Sequence, residues 1–256
     1  MQSAQDATNI RSSDGPFWIA AHVYVCSTTD GSVVLDLKRD KYYGLGRDDS
    51  ELLADAVQNW PAPLWKRVAE PRHPDAHRSN GLCSSLLEDG MLTRNESDSN
   101  PLSPMAPIDM TAEFIAVGDE LEVRGRVRLN HIARFAAAFV SARCSLSWRP
   151  FIRVVDGVRS AKTRGAGTGY PSDILAIAAL VDIFRKLRPF VFTAEGRCLL
   201  HALTLVKFLG RYGLYPDWVV AVTTHPWGAH SWVQWGNFLL DTNPDKVCQY
   251  TPIMVV

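Results

Sequence analysis

Between Asn95 and Pro107 the chain is polar, carries Pro101, Pro104 and Pro107, and shows no periodic apolar face. Proline lacks the N–H that helices and inner strands require and drives its predecessor out of the helical region. No regular element is therefore expected to cross this stretch. It divides 256 residues into a front domain at 17–94, a linker at 95–107 and a back domain at 108–256. A hydrophobic content of 46% is enough to fill more than one core over that length.

The front part begins with three strand-like runs, His22 to Ser27, Ser32 to Leu37 and Lys41 to Leu45, separated by turn signals at Asp30-Gly31 and Arg39-Asp40. They predict a small β-meander. Leu52, Leu53, Ala56 and Val57 then recur at helical spacing behind the acidic start Asp48-Asp49-Ser50, which suits a helix N-terminus. Further helical pattern follows at Leu64 to Val68 and Leu82 to Leu87, and Gly90 is placed to stop the second of these.

The back part predicts helices at His131 to Trp148, Pro171 to Lys186 and about Arg197 to Tyr212. The period then shortens: Trp218 to Val222, His230 to Trp235 and Phe238 to Asp241 read as strands, with turns at His225-Pro226-Trp227-Gly228 and Gly236-Asn237. Helices followed by an antiparallel meander give an α+β fold class.

Charge narrows the partners. Lys plus Arg and Asp plus Glu both number 27, so no net field favours nucleic acid or an anionic membrane. The apolar run Ile174 to Phe184 contains Asp182 and ends at Arg185, Lys186 and Arg188, far short of a membrane span. Met1 to Pro16 is polar and lacks the pattern of a secretory signal. Five scattered cysteines, Cys26, Cys83, Cys144, Cys198 and Cys248, suit a reducing, cytoplasmic setting and offer no zinc-ligand spacing. Gly165-Ala166-Gly167-Thr168-Gly169 lacks the Lys-Ser/Thr ending of a phosphate loop, so neither a metal nor a directly bound cofactor is expected.

Cys198 opens the third helix of the back part. Unpaired N–H groups at a helix start stabilise a thiolate, the nucleophilic form of cysteine, and Gly196 lets the backbone approach closely before it. Such a thiol needs an imidazole to exchange its proton and a third group to orient the ring. His230 on a strand and Asp241 at the end of the next strand complete a candidate triad. His201, one turn beyond Cys198, and His225 compete for the base, and Asp245 competes with Asp241. Trp227 and Trp232 are candidates to line a cleft, while the other four cysteines read as structural.

Cys198-Leu199 heading an apolar helix, Ala229-His230-Ser231-Trp232-Val233 on a strand and then Leu240-Asp241 resemble the transglutaminase-like leader peptidases of lasso-peptide biosynthesis. The resemblance implies a papain-like cysteine peptidase domain that removes the leader of a ribosomally made precursor. A separate ATP-dependent, asparagine-synthetase-like cyclase would then close the macrolactam, and any ATP dependence would come through that partner. The front meander with Lys41-Tyr42-Tyr43-Gly44-Leu45 and the helices after it resemble the small winged-helix-like recognition element of such pathways. There the leader adds to the free edge of the third strand and packs on the last helix, which implies Tyr42, Tyr43, Leu45 and Leu86 as leader-binding residues. Strand alternation allows at most one of the two tyrosines to face the core of that element. The chain departs from the family pattern at His201, where an arginine is common, and at Thr193-Ala194-Glu195, where papain-type enzymes place a glutamine. An acyltransferase using the same triad, or a non-catalytic module that presents the precursor, remain the alternatives.

Overall fold

A computed structural model describes residues 16–65, 76–101, 115–117, 123–165, 174–192 and 196–256. The front half opens with β1 (Trp18–Ile19), then β2 (Val23–Thr28), β3 (Gly31–Asp36) and β4 (Lys41–Gly46). The last three form an antiparallel sheet in the order β2-β3-β4, as the turn signals predict. The second turn is tied by Asp36, whose carboxylate accepts from the Lys38 and Arg39 N–H groups and from the Arg39 guanidinium, while Asp40 takes a left-handed φ of 53°. Two helices follow, α1 (Arg47–Ala56) and α2 (Ala76–Glu88), and then β5 (Leu92–Thr93), which pairs with β1. Gly90, at φ 70°, ends α2 as expected. The helical pattern at Leu64 to Val68 falls largely outside the described residues.

The stretch expected to begin the linker starts inside the front fold. Ser99 bridges to Ala20, and the side-chain amide of buried Asn100 donates to the Val23 carbonyl while its backbone carbonyl accepts from the Asn59 side-chain amide. A buried asparagine held through both its side chain and its backbone is a structural pin, so Asn100 packs with the front elements. Most of the remaining linker lies outside the described residues.

The back half contains β6 (Ile115–Val117), α3 (Leu129–Trp148), α4 (Phe151–Gly165), α5 (Ile174–Leu187) and α6 (Cys198–Gly210), then β7 (Asp217–Thr224), β8 (Trp227–Trp235), β9 (Phe238–Leu240), α7 (Pro244–Val247) and β10 (Thr251–Val255). Four of these, α4, α7, β6 and β10, escaped the sequence reading. The sheet order is β10-β7-β8-β9-β6, with β6 parallel to β9 and the other pairs antiparallel. Thus α+β holds, and the expected three-strand meander is extended by one strand at each edge. Helix α6 lies between α3 and β8. Its buried Leu203, Phe208 and Leu209 meet Phe135 and Phe184, whose rings stand edge-on at 5.5 Å.

The main core is shared by both halves. Tyr24, Cys26, Val33, Leu35 and Leu37 of the meander are buried in one cluster with Phe184, Leu203, Trp218 and Met254 of the back half. The opposite face of the meander has its own smaller core, built from Val23, Val25, Val34, Leu53, Cys83 and Leu92. The meander is therefore covered on both faces, which explains why all residues of β2 and β3 are buried instead of alternating in and out.

Candidate active site

Cys198 is the first residue of α6 and is half-buried. The His201 N–H donates to the carbonyl of Arg197, the residue before the helix, so the N–H groups of the opening turn are left for a bound anion or a developing oxyanion. Gly196 holds φ at 65°, in the left-handed region that glycine enters without a Cβ penalty. This sharp entry sets the direction of the helix that carries the thiol. Residues 193–195, which take the place of the papain-type glutamine, lie outside the described residues.

A cavity of about 230 Å³ joins the candidate residues. Cys198, His201, Ala202 and Leu205 line it from α6, His230 to Val233 from β8, and Asp241 to Asn243 with Lys246 from the segment after β9. Its position follows from the sheet register. Strand β9 accompanies β8 only from Val233 to Trp235, and at Asp241 the chain turns aside at φ 63°. The flank of β8 from His230 to Trp232 therefore opens into the cavity.

Alternation along β8 puts His230 on the less obvious side. Trp232 shares a face with Val219, Ala221 and Leu239, covered by Val247 and Tyr250, and the His230 ring lies 5.2 Å from Tyr250 and 6.2 Å from Trp232. The residues that face α6 are Val220, Val222, Val233 and Leu240. His230 thus meets the cavity around the open edge of the strand. Burial first, then the positive fields of Lys246 and His201, lower its pKa to about 4, which leaves a neutral imidazole at neutral pH.

Asp241 also departs from the expected triad. Its carboxylate does not bond His230; it takes the His201 ring at 2.7 Å, Arg185 at 2.6 Å and Arg188 at 2.9 Å. With its side chain only 7% exposed, burial alone would raise its pKa. The His201 contact and the two guanidiniums outweigh that and hold it below the usual carboxylate range. The positive φ at Asp241 swings the side chain from the strand toward α5 and α6, which is why the sequence spacing pointed to the wrong partner. His201 is further fixed by stacking on Phe184, with ring centroids 5.5 Å apart.

The rival residues fall elsewhere. His225 is an exposed hairpin residue bonded to Asp30, and Asp245 sits in the first turn of the short α7, its N–H donating to the capping side chain of Asn243. Neither lines the cavity. Among the described residues no group of three His, Cys, Asp or Glu side chains is placed to hold a metal, and no helix is long and apolar enough to cross a membrane. Arg185 and Arg188 were visible in the sequence only as a basic end to an apolar run. Two arginines one helical turn apart, able to grip one carboxylate, were the missed signal. Among the proposed leader-binding residues, Tyr42 packs on the main core while Tyr43, Leu45 and Leu86 pack on the small front core, as alternation requires for the two tyrosines.

No curated protein and no solved structure matches the chain. The family model of the transglutaminase-like superfamily matches residues 136–255, a span that includes Cys198, His201, His230 and Asp241. That superfamily includes cysteine peptidases and acyltransferases, and its fold is typically that of a cysteine-dependent enzyme. Residues 136–255 of this chain are thus a transglutaminase-like superfamily domain.

Proposed function

We propose that the chain is a cysteine endopeptidase that removes the leader from a ribosomally made lasso-peptide precursor, before a partner asparagine-synthetase-like cyclase closes the macrolactam. The observation that carries the hydrolytic part is one cavity lined by a helix-opening thiol, two histidines and a carboxylate, inside a transglutaminase-like domain. In this mechanism Cys198 Sγ attacks the last leader carbonyl while neutral His230 accepts the thiol proton. The tetrahedral oxyanion rests at the start of α6. His230 then protonates the departing core-peptide amine, leaving a thioester on Cys198. Water, deprotonated by the same imidazole, hydrolyses the thioester and frees the leader acid. Asp241 holds His201 beside the site, and the bond between those two supports a second reading in which His201 is the base.

The leader part rests on the resemblance of the front half to a winged-helix-like recognition element. Two structural features are compatible with it. Among the described residues strand β4 pairs only with β3, an edge on which an extended peptide can add, and α2 packs behind it on the same small core.

Mass spectrometry of purified protein incubated with its precursor tests both parts. Wild type is expected to release leader acid and intact core peptide, and Cys198→Ala neither. Equal cleavage by both proteins would end the assignment. A leader joined to an added amine would instead make the chain an acyltransferase, and no turnover with retained precursor binding would make it a presenting module.

A further inference from the structure

The core shared by the two halves stops short of the outer end of β4. Tyr42, Gly44 and Gly46 lie on the meander face turned toward the back half, opposite Leu35, Val33 and Gly31 in the ladder. Leu35 and Val33 are buried there and Tyr42 is half-buried, but both glycines are exposed. Across from them stand Thr224, His225 and Trp227 at the β7–β8 turn, leaving a cleft of about 390 Å³. A Cβ on Gly44 or Gly46 would meet nothing within 4 Å, and neither residue has a positive φ. The backbone therefore does not demand glycine at either place. Glycine weakens a strand interior and often marks close approach of another backbone.

The inner end of this cleft lies toward the thiol. The rings of Tyr42 and Trp227 meet edge to face at 5.7 Å, and Trp227 remains 55% exposed. Trp227 lies on the same face of β8 as Ser231 and Val233, which line the cavity of Cys198, so one strand face runs from the cleft to the thiol. At the outer end Asp30 bonds His225 and Thr224, giving a polar rim.

We propose that this glycine-floored cleft holds the substrate as an extended chain on the leader side of the scissile bond, with Tyr42 and Trp227 selecting an apolar side chain next to the cut. The proposal rests on the peptidase reading and adds to it a path between β4 and Cys198. A floor without side chains admits a peptide backbone, and two aromatic rings bury an apolar residue while excluding a charged one.

Gly44→Val in the full chain closes the floor, and a β-branched residue also suits a strand. It is expected to lower kcat/KM on the precursor about tenfold to hundredfold, the scale of a blocked apolar subsite. Thermal unfolding and alkylation of Cys198 by iodoacetamide should remain as in wild type. Trp227→Ala should reduce the preference for an apolar over an aspartate residue at the last leader position to roughly one-tenth of its wild-type value. Unchanged kcat/KM in Gly44→Val, with cleavage still dependent on Cys198, overturns the cleft and leaves the peptidase standing. A wild type that cleaves nothing overturns both. Should Gly44→Val fail to fold, an unaltered preference in Trp227→Ala overturns the proposal by itself.

Discussion

Replacing Asp241 with asparagine keeps the shape of the side chain and removes the charge that three cationic or polar neighbours share. The carboxylate bonds Arg185, Arg188 and His201 at 2.6 to 2.9 Å, and hydrogen bonds to charged groups contribute about 1.5–3 kcal/mol each. The two arginines are 28% and 25% exposed, so solvent screens part of that, and the asparagine oxygen can retain one bond. The net cost is roughly 2–4 kcal/mol at neutral pH. That corresponds to a fall in melting temperature of about 5–15 °C for a chain of this size. Because the folded pKa of Asp241 is depressed, its contribution is fully present above the unfolded value near 3.9 and is lost as pH falls through the folded value. Urea unfolding of both proteins should therefore show a constant gap from pH 5 to 8 that narrows below about pH 4. A gap under about 1 kcal/mol at pH 7, below the worth of a single such bond, would refute the argument. So would a gap that does not shrink in acid.

The two histidines separate by kinetics: His230→Ala is expected to cost about 10²–10⁴ in turnover and His201→Ala clearly less, measured as kcat on the precursor. With His230 as base, kcat/KM of wild type should fall as pH drops through about 4; an acid limb that only His201→Ala alters would transfer the role. Thiol chemistry offers a further check, because burial drives the Cys26 pKa to about 12 and also raises that of Cys83. Brief iodoacetamide treatment followed by peptide mapping should label Cys198 and exposed Cys248 and spare those two, and early labelling of Cys26 would contradict the shared core.

Elements with a strong local signature were legible in the residues: the meander from its turn pairs, α1 and α2 from apolar spacing, α6 from its cysteine start and buried leucines. Helix α4 was not, although Val154, Val155 and Val158 form its buried stripe, because β-branched residues weaken a helical pattern. Strands β6 and β10 are edge strands made by long-range pairing, which local periodicity does not report. At the site, the residue types and their order could be read, and all three candidates reach one cavity. Their pairing could not, since it depends on a single backbone turn at Asp241 and on arginines more than fifty residues earlier in the chain. Likewise the proline-bearing stretch could not disclose that Asn100 is pinned to Val23 of β2.

The meander is plated on one side by the same side chains that support α6 and the large sheet. Severing the front third would strip that plating and uncover β10, which lies against β2. Conversely, a peptide that clasps the front sheet holds the thiol-bearing helix in place, and its binding energy adds to the folding of the whole chain as RT ln(1 + [L]/Kd). Occupancy by substrate should thus be visible as heat resistance even in a protein whose cysteine has been removed.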